Sequence, residues 1–302
     1  MYPSRFHYEA PSSIEETIQL LAMYQGEAKV LSGGMSLIPL MKLRFASPSA
    51  LIDVNNIPGL EDMRETGGKL RVGALVRNRT MVRSELIQSR YPLMASVAPQ
   101  IADPLVRGRS TLVGSLCHCD PQGDWGAVML ALEGKVVARS TSGERRIPVT
   151  EFFVGPFQTT LRPDEFAIEA TVPMPAGRPF GVYHKLERKV GDFATVGVAV
   201  HLDFSGNSIT RAGIGLTGVG GTNVKCVDAE QAVVAGGLNE RTIEEAARLA
   251  AEVAKPQTDH RGSAEYKLHL VRTFVVRALE TAAGREPVDI RKRRFETVAA
   301  RV

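Results

Sequence analysis

Hydrophobic and polar positions change their spacing along the chain, and these changes predict where its helices and strands lie. Apolar residues recur at helical intervals from Ile14 to Leu21. Ser13 and Glu16 have the spacing of a capping box at the start of this helix. Gly26 fits the end of this helix. Shorter apolar runs predict the other elements of residues 1–58: strands at 29–31 and 50–54 and a helix at 36–43. These residues are therefore expected to form a small α/β unit.

A longer stretch, residues 59–176, mixes strand and helix patterns in the same way. Its predicted elements are strands at 70–74, 136–138, 145–148 and 166–172 and helices at 81–101 and 124–132. The segment from Pro173 to Pro179 is rich in proline and is typical of a linker. The sequence therefore predicts a second α/β subdomain that ends near this segment.

Residues 177–281 have the patterns of a third unit. The predicted elements are strands at 183–186, 194–204 and 209–216, a hairpin turn at Gly206-Asn207, and helices at 242–254 and 263–279. Residues 282–302 are left as a tail. The chain is therefore predicted to be an α+β protein, in which two α/β subdomains precede a small domain of three antiparallel strands and helices.

The composition is that of a globular protein and restricts the classes of function. Of 302 residues, 44% are hydrophobic and 23% are charged. No apolar run approaches the roughly 20 residues that span a bilayer, and no secretory signal is recognisable. The three cysteines are an odd number and do not suggest a disulfide framework, so a reducing cytoplasm is expected. The formal net charge of +4 is weakly basic, and the charges are dispersed over most of the chain. The exception is the basic run Arg291–Arg294, which fits a solvated tail or a contact with an acidic partner subunit. No aromatic platform accompanies this run, so nucleic-acid binding is not expected.

Two glycine-bearing segments carry the clearest chemical signal. One runs from Leu31 to Pro39 and the other from Thr111 to Pro121, and each combines glycine with serine or threonine. Because glycine has no Cβ, several backbone N–H groups can converge on one anion. Two such loops could hold the pyrophosphate of a dinucleotide from both sides. Nothing in the sequence marks a nucleophile or general base, so a cofactor is expected to supply the chemistry.

Four other features each allow a structural and a functional interpretation. Gly213–Gly218 has the spelling G-x-G-x-x-G, but strand follows strand there, so a dinucleotide role is not expected. Cys117–Asp120 looks like a metal cluster, but zinc sites usually take separated ligand pairs, so no metal is expected. Asp124 fits a helix cap or a carboxylate that accepts hydrogen bonds from a ligand. Lys185 fits a solvated strand end or a cation that stabilises an anionic reduced ring.

Several segments together resemble the FAD-binding medium subunits of molybdenum hydroxylases. They occur in the family's order over nearly the whole chain: 32–42, 111–124, 153–156, 163–166, 185–195, 214–219 and 259–266. The last two look most like the carbon monoxide dehydrogenase branch of the family. The resemblance implies an FAD-binding region of the PCMH/vanillyl-alcohol-oxidase-like type, followed by the small α+β domain.

The resemblance also implies roles for individual residues. Segments 32–36 and 111–115 would cradle the pyrophosphate and ribityl chain, Ile101 would lie by the adenine, and Lys185 would sit at the pyrimidine end of the flavin. The complete set of implied FAD-binding residues is Ser32, Gly33, Gly34, Met35, Ser36, Leu37, Ile101, Thr111, Gly114, Ser115, His118, Asp120, Asp124, Phe166, Ala167, Lys185, Asp192 and Phe193. No catalytic or metal-ligating residue is expected on this chain.

The implied function is electron transfer within a larger complex. A large subunit would carry the molybdenum cofactor and oxidise the substrate, and a small subunit would carry two [2Fe-2S] clusters. FAD on this chain would pass electrons to quinone, NAD or oxygen, in a dimer of heterotrimers that is cytoplasmic or peripheral at the inner face of the membrane. Carbon monoxide is the favoured substrate, with purines, nicotine-like heterocycles and aldehydes as alternatives. The rival interpretations are a stand-alone flavin oxidoreductase and a non-catalytic assembly subunit.

Overall fold

The computed structural model describes residues 2–285, so the predicted basic run at Arg291–Arg294 lies outside the described residues. The first unit contains these elements: β1 His7–Glu9, α1 Ile14–Tyr24, β2 Ala28–Leu31, α2 Leu37–Lys42 and β3 Ala50–Asp53. The strands pair in parallel in the order β1, β3, β2, so their carboxyl ends lie at one edge of the sheet. The elements predicted from the sequence are confirmed, and β1 is an addition whose three residues are too few to show a period.

The start of α1 confirms the capping prediction in part. Ser13 Oγ accepts a hydrogen bond from the N–H of Glu16 at 3.1 Å, as expected for an N-cap. The Glu16 carboxylate, however, accepts from the N–H of Ser12 at 2.8 Å instead of from Ser13. Gln25, with φ +47°, is the C-cap of the helix, and Gly26, with φ +92°, follows it.

The second unit is a five-stranded antiparallel sheet with short helices, in the strand order β4, β5, β10, β6, β7. Its elements are β4 Met63–Thr66, β5 Lys69–Gly73, α3 Asn78–Arg83, α4 Glu85–Arg90, α5 Pro92–Val97, a 3-10 turn Ala98–Gln100, α6 Pro104–Arg107, α7 Leu112–His118, α8 Asp124–Ala131, β6 Lys135–Ser140, β7 Gly143–Pro148, α9 Val149–Phe152, β8 Phe153–Gly155, β9 Gln158–Thr159 and β10 Phe166–Pro173. The prediction that residues 81–101 are mostly helical is confirmed, but the helical stretch is divided. Ser84 ends α3 and caps α4, and Pro92 begins α5, so the stretch consists of three short helices and the 3-10 turn.

The third unit is an antiparallel sheet in the order β11, β12, β13, β14, covered by helices on one face. Its elements are β11 Arg178–Leu186, β12 Val196–Ser205, β13 Ser208–Thr217, β14 Val224–Lys225, α10 Val227–Gly236, α11 Glu240–Val253 and α12 Ala264–Ala282. The three predicted strands and two predicted helices are confirmed. The sequence pattern missed α10 and the two-residue strand β14.

We propose to keep the division of the chain at residues 58, 176 and 281.

Helix α8 joins the second unit to the third, because it lies directly on β12 and β13. A Cβ on Gly213 would lie 1.8 Å from the carbonyl oxygen of Ala131, and one on Gly215 would lie 2.1 Å from that of Ala127. Only glycine allows this approach, which we call the α8 seam. The G-x-G-x-x-G spelling therefore has a packing origin, and the expectation that it is no dinucleotide motif agrees with the strand found there.

One face of β12 forms the core of the third unit. Val198, Val200 and Leu202 are fully buried in one cluster with side chains of α11 and α12. The opposite face of the same strand lies toward α8. Among residues 2–285, no helix combines the length and hydrophobicity needed to span a bilayer.

Candidate functional site

The first glycine segment follows the carboxyl end of β2, at the edge of the parallel sheet. Gly34 adopts φ +74°, and the chain then enters α2. The backbone N–H groups from Gly33 to Ser36 donate to no group among the described residues. Asn55 Nδ2 donates to the carbonyl oxygen of Ser32 at 2.9 Å and fixes the start of the segment. Consecutive N–H groups left free in a half-buried turn form a site that suits an anion.

The second glycine segment contacts the first. Ser32 Oγ and Thr111 Oγ1 lie 3.1 Å apart, and a Cβ on Gly33 would lie only 2.4 Å from the carbonyl oxygen of Arg109. Thr111 caps α7, because its hydroxyl accepts from the N–H of Gly114 at 3.0 Å. The structure thus brings together the two loops that the sequence suggested for one pyrophosphate.

A buried charged cluster lies where α8 begins. Asp124 Oδ1 accepts from Tyr183 Oη at 2.6 Å, and Asp124 Oδ2 accepts from Lys185 Nζ at 3.0 Å. Lys185 Nζ also donates to the carbonyl oxygen of Gln100 at 3.2 Å and lies 3.2 Å from Glu187 Oε2. The Lys185 side chain is 2% exposed and that of Asp124 8%. Asp124 and Lys185, expected near the flavin, therefore form an ion pair between the second and third units.

The pKa values of this cluster follow from burial and from the nearby charges. Burial raises the pKa of Asp124, although Lys185 and the Tyr183 hydroxyl act in the opposite direction. Burial and the Asp124 carboxylate raise the pKa of Tyr183 well above its ordinary value, so its phenol stays protonated and donates. The N-cap interpretation of Asp124 is wrong in detail, since Gly123 occupies the cap and Asp124 is the first helical residue.

The Cys117–Asp120 segment closes α7 as a structural turn. Cys119 adopts φ +54°, and its thiol donates to the carbonyl oxygens of Gly155 at 3.3 Å and Gln158 at 3.2 Å. His118 Nε2 lies 3.9 Å from Asp120 Oδ2, and burial lowers the pKa of His118. In the part of the chain that the structure describes, no three acidic, histidine or cysteine side chains converge as metal ligands would.

The remaining predicted site residues lie on three further elements. Phe166 and Ala167 are buried at the start of β10, and Ile101 is half-buried just after the 3-10 turn. Asp192 accepts from both terminal nitrogens of Arg261 at 3.1 and 3.2 Å in the β11–β12 connection, where Phe193 is exposed. The roles of these residues toward FAD stay predictions.

Sequence reasoning missed two members of the charged cluster and one support of the loops. Tyr183 lies two residues before Lys185 on β11, so both side chains point to the same face of the strand, and this period was available in the sequence. Gln100 contributes only a carbonyl oxygen, which no residue pattern reveals. Asn55 follows the central strand of the first sheet, where a polar residue at a carboxyl end was a usable signal.

Comparisons with known proteins agree with this geometry. Residues 4–175 match the family described as an FAD binding domain in molybdopterin dehydrogenase, and residues 181–282 match the family described as a CO dehydrogenase flavoprotein C-terminal domain. Fold and site thus define a flavoprotein built from an FAD-binding domain and a small C-terminal domain. The chain belongs to the FAD-binding medium subunits of the molybdenum hydroxylases.

Individual relatives cover nearly the full chain. It is 39% identical to the carbon monoxide dehydrogenase medium chain of Hydrogenophaga pseudoflava over 94% of this chain and 99% of that one. It is 36% identical to the 6-hydroxypseudooxynicotine dehydrogenase complex subunit alpha of Paenarthrobacter nicotinovorans, over 94% and 97%. The solved carbon monoxide dehydrogenase of Hydrogenophaga pseudoflava superimposes with a TM-score of 0.91 at 39% identity, over 94% of this chain and 99% of that chain.

Proposed function

We propose that this chain is the FAD-carrying electron-transfer subunit of an aerobic carbon monoxide dehydrogenase. In that complex a large subunit carries the molybdenum cofactor and converts CO and water to CO2. A small subunit with two [2Fe-2S] clusters delivers electrons to this chain, which passes them to an external acceptor such as quinone. The observation that carries the proposal is 39% identity to a carbon monoxide dehydrogenase medium chain over 94% of this chain.

The geometry of the two loops supports FAD as the resident cofactor. The free N–H groups from Gly33 to Ser36, together with the cap of α7 at Thr111, suit the pyrophosphate. Bound FAD supplies the electron-transfer chemistry, and this chain supplies binding and electrostatics. Lys185 would place positive charge near the pyrimidine end of the ring, and Asp124 would set the orientation of that ammonium group.

The substrate is bound on another chain, so the identities of the relatives are the guide to it. The difference between 39% for the carbon monoxide dehydrogenase chain and 36% for the pseudooxynicotine dehydrogenase chain is small. A nicotine-, xanthine- or aldehyde-type molybdenum hydroxylase is therefore one alternative outcome of the test, and a stand-alone flavin oxidoreductase is the other.

We also propose that the complex is a dimer of heterotrimers at the inner face of the cell membrane.

Purification of this chain from its native source tests the proposal. We expect two partner chains to co-purify with molybdenum, iron–sulfur absorption and FAD, and we expect carbon monoxide to reduce an artificial acceptor. Oxidation of a nitrogen heterocycle or an aldehyde instead of carbon monoxide would leave the subunit role and replace the substrate. A flavin-bearing chain that purifies alone and oxidises a substrate by itself would contradict the subunit role.

A further inference from the structure

The two carboxylate oxygens of Asp124 have different partners on β11. Tyr183 Oη donates to Oδ1 at 2.6 Å, and Lys185 Nζ donates to Oδ2 at 3.0 Å. Tyr183 and Lys185 are two residues apart on one strand, so a single carboxylate spans both side chains on the same face. The family-based roles above concern Asp124 and Lys185, and they leave Tyr183 without one.

The chain reserves space for the Tyr183 hydroxyl. A Cβ on Gly197 of β12 would lie 2.2 Å from Tyr183 Oη and 2.5 Å from Thr217 Cγ2. Any side chain at position 197 would therefore displace the hydroxyl from Asp124. Tyr183 itself is 2% exposed, so water does not compete for this hydrogen bond.

The charges around Asp124 do not balance. Lys185 has three N–H donors, and Asp124, the Gln100 carbonyl and Glu187 surround them. Asp124 and Glu187 bring two negative charges against one ammonium group. The charged or titratable groups facing Asp124 are Lys185, Tyr183 and Glu187, and the nearby residues of β12 and β13, Gly197 and Thr217, are uncharged. Glu187 therefore adds to the effect of burial, which raises the pKa of Asp124.

We propose that Tyr183 is a positioning residue that keeps Asp124 ionised, so that the Asp124 carboxylate offsets part of the positive charge of the Lys185 ammonium group beside the flavin. The hydroxyl donates to the charged form of the carboxylate and so disfavours its protonation. The inference rests on the proposed function in requiring that this chain carries FAD and that Lys185 lies at the pyrimidine end of the flavin. It assigns the setting of the flavin potential to a residue that need not touch the cofactor.

The sign of the effect follows from the Asp124 pKa. Burial raises this pKa, and the hydrogen bond from Tyr183 lowers it, so removal of the hydroxyl lets it rise further. At a pH between the Asp124 pKa of the wild type and the higher Asp124 pKa of Tyr183→Phe, Asp124 is ionised in the wild type and protonated in the variant. The variant then has one negative charge fewer near the flavin, and the flavin potential is higher. At a pH above both Asp124 pKa values, Asp124 is ionised in both proteins, so their flavin potentials converge.

The test is a redox titration of the FAD-loaded protein with a chemical reductant over a series of pH values. Tyr183→Phe removes only the hydroxyl. Tyr91→Phe is the matched control, because Tyr91 is 1% exposed and its hydroxyl donates to Glu65 Oε1 at 2.8 Å. Asp124→Asn is a second variant, in which the side chain at position 124 is uncharged at every pH. None of these titrations needs carbon monoxide or a partner subunit, so a failure of the proposed substrate leaves them interpretable.

We expect Tyr183→Phe to exceed the wild-type potential at acidic pH and to match it at alkaline pH. One hydrogen bond corresponds to about a tenfold change in the proton affinity of Asp124. Asp124→Asn should be higher at alkaline pH also, and Tyr91→Phe should match the wild type throughout. The proposal is overturned if Tyr183→Phe coincides with the wild type at every pH or differs by a constant offset, or if Asp124→Asn has the wild-type potential. Failure of the chain to bind FAD would instead contradict the proposed function.

Discussion

Glycine brings backbone segments together at two places in this molecule, the loop junction and the α8 seam. At the loop junction, Gly33 approaches the carbonyl oxygen of Arg109, while the N–H groups from Gly33 to Ser36 donate to no group within residues 2–285. At the α8 seam, Gly213 and Gly215 approach the carbonyl oxygens of α8, while their own strand pairs on both sides. The close approach is the same, but only the loop junction leaves donors for a ligand.

The hydrogen-bonding state of a glycine segment, more than its sequence motif, therefore marks a phosphate site. The seam has the G-x-G-x-x-G spelling of a dinucleotide motif, and its backbone is used by the sheet. The junction lacks that spelling, and its backbone is available. Substitutions at the seam should therefore affect stability, and substitutions at the junction should affect FAD binding.

The largest effect is expected at the α8 seam. Gly213→Ala places a Cβ 1.8 Å from the carbonyl oxygen of Ala131, so α8 must move away from the sheet. We expect a loss of at least about 1–3 kcal/mol in the free energy of unfolding, measured in urea. Gly221→Ala is the control, because nothing lies within 4 Å of the added Cβ. Equal stability of the two variants would show that the seam is not tightly packed.

The next effect is expected at the loop junction. Gly33→Ala places a Cβ 2.4 Å from the carbonyl oxygen of Arg109 and separates the two loops. We expect FAD affinity to fall by more than about tenfold, since loss of one charge-assisted hydrogen bond already corresponds to that factor. Titration of the apoprotein with FAD measures it, and Gly155→Ala, whose nearest contact is Gln158 Oε1 at 3.5 Å, is the control. Undiminished FAD binding by Gly33→Ala would remove the junction from the cofactor site.

A smaller effect is expected from the cations at the two ends of α8. Lys185→Ala removes the ammonium group beside Asp124 and should lower the flavin potential, by about 30 mV for each 1.4 kcal/mol lost in a two-electron couple. Lys225→Ala is the matched control, because Lys225 Nζ donates to the carbonyl oxygen of Leu130 at the other end of the helix. An unchanged or higher potential in Lys185→Ala would reject its role toward the flavin.

The smallest effect is expected in the β11–β12 connection. Hydrogen bonds from Arg261 hold the pKa of Asp192 below its ordinary value, against a smaller opposing effect of burial. The pair therefore stabilises the fold above the unfolded-state pKa of about 3.9, and this stability is lost as the pH falls through the lower folded-state value. Asp192→Asn should cost up to about 1 kcal/mol at neutral pH and nothing in strong acid. Urea unfolding at neutral pH and in strong acid measures this cost in unfolding free energy. An equal cost under both conditions would contradict an ionic origin of the stabilisation.

Much of the architecture was predictable from the sequence, because long strands and helices have clear periods. The hairpin at Gly206-Asn207 and the helices that became α11 and α12 are examples. The predicted helical stretch at 81–101 is present, and its division into short helices follows from the local cap at Ser84 and from Pro92. The strand β14 could not be predicted from the sequence, because two residues are too few to show the alternation of a strand.

The candidate site was predictable where a residue type carries the chemistry. The two glycine segments were found from their residues, and Asp124 and Lys185 were assigned to the flavin by the family resemblance. The ion pair between these two residues was not predictable, because 61 residues separate them and it forms only when α8 lies on the third unit. Gln100 takes part through its backbone, and a carbonyl oxygen is present at every position of the sequence.

Anaerobic addition of carbon monoxide to the purified native complex tests whether the FAD of this chain receives electrons from the substrate. We predict that the FAD absorption of this chain bleaches after the iron–sulfur absorption of the partner, and that Lys185→Ala slows or weakens this bleaching without loss of FAD. A flavin that stays oxidised under carbon monoxide while the iron–sulfur absorption bleaches would contradict the electron-transfer role of this chain. A complex in which neither absorption responds, but both respond to a heterocycle or an aldehyde, would contradict carbon monoxide as the substrate.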